Sequence, residues 1–163
     1  MHTNVNTLFE KLWESYLAVT PSAVTVHDLF DKTQGQEVVN DHIALRTFNL
    51  PGIGLSALAA HFEAVGYKAC GEYHFVSKKL YAKHFEHTEN PDLPKVFISE
   101  LLLEQCSESL QETVRSLVAN MDKDAVTQAS FLYSGRHWDI DYPTYQRLLQ
   151  ESEFAAWVAA WGY

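Results

Sequence analysis

Residues 41–48, DHIALRTF, alternate as a strand does, and NLPGIG (49–54) closes them with a Pro and two Gly. Leu55, Leu58, Phe62 and Val65 then recur at helical spacing, with Gly66 where a helix C-terminal glycine belongs. Three strand candidates follow: YKACGEYHF (67–75), KLYAKHFEH (79–87) and KVFISELLL (95–103). NPDLP (90–94) separates the last two, and its two prolines forbid regular structure there. The order over residues 40–103 is therefore strand, helix, strand, strand, strand. With helical patterns on either side, the fold class is α+β.

Outward from this unit, the first forty residues read as helical. Thr7 and Glu10 form a T-x-x-E capping box ahead of an apolar stripe of Leu8, Phe9, Leu12, Trp13 and Tyr16. Thr20-Pro21 restarts a helix, and Gly35 closes the segment. Beyond the strands, Ser107 opens a helix through Leu110, Val114, Leu117 and Met121. DAVTQASFLYSGRHWDIDYP (124–143) fits neither period. Pro143 opens a short helix, and Ser152 caps a last one that carries Phe154, Trp157, Val158 and Trp161 and ends at Gly162. The chain divides into a helical appendage (1–37), a βαβββ module (38–104) and a helical segment (105–163).

The 163 residues suffice for one domain with a sizeable core or two small lobes, and 47% hydrophobic content places the chain among globular proteins. No apolar run reaches ~18 residues, so nothing is expected to span a membrane. MHTNVNTLFEKLWE lacks the succession of a signal peptide, and cytoplasmic residence is the expectation. Cys70 and Cys106 match no metal or redox spacing. The net charge of −9, with twelve scattered basic residues, argues against nucleic acid. It leaves room for an anionic small substrate, because one local Arg holds a carboxylate regardless of global charge.

Of eight histidines, His2, His27 and His61 fall on helices with structural or surface roles, and His137 is unplaced. His42, His74, His84 and His87 all fall in strands of the central unit. Imidazoles converging on one sheet face with a carboxylate such as Glu100 would suit Zn, Fe or Ni. Glu100, inside an apolar strand, must be paired, metal-bound or at the strand's wet end. His42 and Arg46 share strand parity and lie ~13 Å apart along the chain at ~3.3 Å per residue, too far for one metal. A metal at His42 with Arg46 further along could hold opposite ends of a short dicarboxylate. The alternative is an Arg46 paired with a nearby acid and a His42 that caps the strand start beside Asp41.

NDHIALRTF, followed at a distance by KHFEHTENPDLPKVFISELL, resembles the 2-oxoadipate dioxygenase/decarboxylase family. RHWDIDYPTYQRLLQESEFAAWVAAWGY resembles that family's linking region. The strand order is also similar to one module of the vicinal-oxygen-chelate fold, with a mixed sheet. The resemblance implies that His42 is the first iron-binding histidine and also meets substrate, and that Arg46 binds a substrate carboxylate. It implies Fe(II), O₂ and a 2-oxo acid as partners, and conversion of 2-oxoadipate to 2-hydroxyglutarate in lysine breakdown. It further implies that the second histidine and the carboxylate ligand belong to a second module beyond AWGY, so that this chain is the front part of a longer enzyme. A homodimer that supplies His42 and Glu100 twice, or a non-catalytic oxo-acid module, is the alternative expectation.

Overall fold

A computed structural model describes residues 1–34 and 40–163. Two helices come first, α1 (Val5–Val19) and α2 (Ser22–Gln34). The central unit follows as β1 (His42–Phe48), α3 (Leu55–Glu63), β2 (Tyr67–Phe75), β3 (Leu80–His87) and β4 (Lys95–Leu101). Three more helices complete the described chain: α4 (Glu108–Val118), α5 (Tyr142–Glu151) and α6 (Glu153–Trp161). Among the described residues, no helix is long and apolar enough to cross a membrane.

The sheet runs β1–β4–β3–β2, with β1 parallel to β4 and the other pairs antiparallel. A parallel pair cannot close through a hairpin, so β1 reaches β4 only after α3 and two further strands have been laid down. One face of the sheet carries Leu45, Val96, Ile98 and Phe85, all buried, together with Leu55, Leu58 and Phe62 of α3. Leu8 of α1 belongs to the same core, and Phe9 lies 6.2 Å from Phe62 and 6.0 Å from Tyr67 between ring centroids.

Two details differ from the sequence reading. The N-cap of α1 is Asn4, whose side chain accepts from the Thr7 backbone N–H at 3.1 Å, so Thr7 sits inside the helix rather than before it. Asn caps as well as Thr does, and the earlier residue wins because Val5 and Leu8 extend the apolar face. Met121 falls beyond the end of α4. Gly35 and the boundary drawn at residue 37 lie outside the described residues.

Strand β2 contains a bulge between Ala69 and Gly71. The extra residue reverses the parity of everything after it. Tyr67 therefore joins the α3 side, opposite His87, while Tyr73 joins the opposite face, opposite Ala82.

Candidate functional site

The face of the sheet turned away from α3 carries the residues of interest. His42, Ala44 and Arg46 alternate with buried Leu45 and Thr47, and all three are exposed. The register sets Lys95 beside His42, Phe97 beside Ala44 and Ser99 beside Arg46. On the next strand, His84 stands opposite Phe97 and Ala82 opposite Ser99.

His42 Nδ1 lies 2.9 Å from Asp41 Oδ2. A ring nitrogen facing a carboxylate is the donor, so the neutral imidazole keeps its lone pair on Nε2. A carboxylate behind the ring is also what orients and strengthens a histidine ligand. Capping by Asp41 and availability for a ligand are thus the same arrangement.

Arg46 is the second element. Its guanidinium carbon lies over the Trp157 ring at 4.7 Å from the centroid and over Phe154 at 5.6 Å. Among the described residues it has no carboxylate partner. Its backbone N–H donates to the Tyr163 carbonyl at 3.3 Å, which ties the end of the C-terminal segment to the outer edge of β1. An exposed, permanently charged guanidinium with no acid beside it among the described residues has its in-plane donors free for an anionic group.

A third group lies deeper on the same face. His84 Nδ1 bonds the Tyr73 hydroxyl at 2.9 Å, and its Nε2 lies 3.5 Å from Glu86 Oε1. Lys95 Nζ approaches the same Glu86 oxygen at 3.2 Å, and its hydrogen bond and charge hold that carboxyl below the ordinary glutamate range. Gly71 makes room for His84, because a Cβ there would stand 2.9 Å from the imidazole ring.

The remaining strand residues are not part of this face. Glu100 pairs with Thr47 and Tyr81 and so points to the α3 side. There its Oε2 accepts the Leu55 backbone N–H at 2.7 Å, at the start of a helix whose own cap, Gly54, has no side chain. Burial raises its pKa, against the lowering pull of that hydrogen bond. The expectation that a dimer could present His42 and Glu100 together is thereby corrected: they face opposite sides of one sheet. His87 also lies on the α3 side, where its Nδ1 accepts the Asn90 backbone N–H at 3.0 Å and its ring meets Tyr67 edge-on. His74 shares that side, 5.0 Å from the Tyr81 ring. The four strand histidines are therefore split two and two, and the described residues contain no group of three or more metal-ligating side chains.

His61 and His137 are structural. His61 is 1% exposed, bonds the Val126 carbonyl through Nε2 at 2.8 Å and stacks on Phe131. Its Nδ1 has no partner among the described residues, and burial lowers its pKa, which favours the neutral ring. His137 stacks on the same Phe131 ring, with centroids 4.9 Å apart. Sequence reasoning missed Phe154 and Trp157 as partners of Arg46. Their three-residue spacing on one face of α6 was visible, but a helix face reads as core until its neighbour is known.

Together these features define one βαβββ module of the vicinal-oxygen-chelate type, which presents, on the sheet face turned away from α3, an oriented imidazole and a guanidinium with no acidic partner among the described residues. More narrowly, the chain belongs to the 2-oxoadipate dioxygenase/decarboxylase family, whose profile matches residues 3–163. It is 32% identical to the 2-oxoadipate dioxygenase/decarboxylase of Oryza sativa over 96% of its own length and 46% of that protein. Against the Arabidopsis thaliana protein of the same description, identity is 32% over 91% of this chain and 43% of the relative. The chain spans about half the length of the curated relatives it matches.

Solved structures agree. A crystal structure of a Shewanella frigidimarina protein described as a hydrolase shares 55% identity, with a TM-score of 0.94 over all of this chain and 63% of that one. Hydroxyglutarate synthase from Oryza sativa, crystallised with 2-oxoadipate, superposes with a TM-score of 0.88 at 31% identity over 96% of this chain and 54% of that one. A glyoxalase-superfamily protein from Ralstonia eutropha shares the fold alone, at 23% identity and a TM-score of 0.73 over 95% of this chain and 58% of that one.

Proposed function

We propose that this chain serves a metal-dependent oxygenase that converts 2-oxoadipate and O₂ to 2-hydroxyglutarate and CO₂, a step of lysine breakdown. The single observation that carries the reading is Arg46: a guanidinium held by aromatic rings, without an acid among the described residues, two same-face positions from an oriented histidine on the same strand. Its family membership and its likeness to a synthase crystallised with 2-oxoadipate support the same substrate class. The stoichiometry balances without an external reductant, since one O₂ enters and one CO₂ leaves.

In this reading Arg46 grips the distal carboxylate through its in-plane N–H groups. His42, oriented by Asp41, would hold Fe(II) through Nε2. The described residues supply one fitting imidazole and no three-ligand cluster, so Fe(II) would also need ligands from beyond the described face. Bound there, Fe(II) would supply O₂ activation, the chemistry for which a two-histidine, one-carboxylate site with open positions is suited. What this chain contributes is substrate length selection and alignment: ~13 Å of strand separates the two anchoring residues.

The test is a pair of substitutions in the full-length protein. Arg46→Ala should weaken 2-oxoadipate binding at least roughly tenfold, the loss of a charge-assisted bidentate contact, while bound Fe(II) or Mn(II) stays unchanged. His42→Ala should abolish metal binding. Equal loss of metal and substrate in Arg46→Ala would make Arg46 structural, and full metal occupancy in His42→Ala would remove the histidine from the site. Absence of O₂ uptake on 2-oxoadipate by the metal-loaded wild type would overturn the activity itself.

A further inference from the structure

We infer that Trp157 and Phe154 of α6 are positioning residues for Arg46, and that they make the site selective for a substrate with a second carboxylate. The inference rests on the reading of Arg46 given above and extends it to a part of the chain outside the sheet.

A free arginine on an exposed strand face samples many rotamers, and ordering it when an anion arrives costs binding energy. Here the two rings engage the guanidinium over their faces, at 4.7 Å and 5.6 Å. Stacking uses the π surface of the guanidinium and leaves its N–H donors, which lie in its plane, unspent. An acidic partner would do the opposite, because it would consume the edge that a substrate carboxylate needs. The aromatic frame therefore orients the cation without neutralising it. A Lys at this position could not be held in the same way, since its compact ammonium has no planar fork.

The frame is itself anchored, and by residues that fitted no period in the sequence. Trp138 Nε1 donates to the Ala159 carbonyl at 2.9 Å, and Arg136 Nη1 to the Ala160 carbonyl at 2.9 Å. Arg136 Nε also donates to the Trp138 carbonyl at 2.9 Å, so the RHW segment forms one bracket around the last turn of α6. Gly162, at φ +85°, packs against Arg136 so closely that a Cβ would stand 3.1 Å from its Cα. One residue later, the Tyr163 carbonyl accepts the Arg46 N–H. Both the backbone and the side chain of Arg46 are thus registered against the same helix.

The experiment measures dissociation constants of 2-oxoadipate and of 2-oxohexanoate, which has the same carbon count but one carboxylate. It uses wild type, Trp157→Leu, Trp157→Phe, Phe154→Leu and Arg46→Ala. Trp157→Leu should raise the constant for 2-oxoadipate about five- to thirtyfold and leave that for 2-oxohexanoate unchanged. Trp157→Phe should recover most of the loss. If Trp157→Leu binds 2-oxoadipate as wild type does, or weakens both acids alike, the positioning role is overturned. If Arg46→Ala keeps wild-type affinity for 2-oxoadipate, the carboxylate-binding reading fails first, and that arm separates the two failures. Should Trp157→Leu not fold, Phe154→Leu carries the same comparison, and wild-type affinity for 2-oxoadipate in it, or an equal weakening of both acids, would overturn the inference.

Discussion

Replacing Glu100 separates a helix-capping carboxylate from a metal-binding one. In the structure its Oε2 accepts the Leu55 N–H at 2.7 Å and stands in for the side-chain cap that Gly54 cannot provide. Glu100→Ala removes that acceptor and strands a first-turn N–H, a loss of about 1–2 kcal/mol. For a chain of this size that corresponds to a fall of roughly 2–8 °C in Tm. Glu100→Gln keeps an acceptor of the same reach and removes a charge that burial disfavours, so it should match or exceed wild-type stability at pH 7.

The pH dependence has a definite sign. Folding raises the pKa of Glu100, so its protonated form is favoured in the native state. Its stability contribution is fully present below the ordinary glutamate range, about 4.3, and is lost as pH rises through the raised value. The gain of Glu100→Gln over wild type should therefore be small at pH 4 and grow toward pH 7. Thermal unfolding followed by far-UV circular dichroism from pH 4 to 8 reads both effects. A Gln variant that melts as low as the Ala variant at pH 7, or one that loses bound metal, would refute the capping argument.

Three further outcomes follow from the packing. His61, buried and neutral, loses stability as pH falls from about 6.5 through its lowered value, and His61→Phe should flatten that slope. Urea midpoints from pH 5 to 8 check this, and parallel slopes for the two proteins would refute it. Gly71→Ala places a Cβ 2.9 Å from the His84 ring and should displace it from Tyr73. Unchanged His84 ring resonances in the NMR spectrum would contradict that close approach. Trp138→Phe removes a buried indole N–H from the Ala159 carbonyl and should cost about 1 kcal/mol, measured by chemical denaturation. No loss would mean that the bracket around α6 adds nothing to stability.

Much of this architecture was legible because its signals are local. The alternation in DHIALRTF, the helical spacing from Leu55 to Phe62 and the prolines of NPDLP each fix an element within its own few residues, and Gly66 at φ +100° ends the helix as read. The shared face of His42 and Arg46 followed from parity alone. What parity could not give was the assignment of distant strands to faces. Cys70 begins a bulge that reverses β2 midway, so no count along YKACGEYHF tells that Tyr67 and Tyr73 part company. Glu100 was ambiguous for a related reason: its partner is a backbone N–H on a helix 45 positions earlier. The segment 124–143 stayed unread because its side chains bond backbone carbonyls across the fold instead of following a period.

The parallel pairing of β1 with β4 has a kinetic side. His42 pairs with Lys95 and Phe48 with Leu101, so the strand bearing both anchoring residues gains its sheet partner only across a long intervening chain. The β2–β3 hairpin closes locally and meets no such entropic delay. In synthesis, His42 and Arg46 emerge early but become fixed late. A dicarboxylate that bridges the two residues would then act as a clasp along a late-docking strand, slowing its amide exchange.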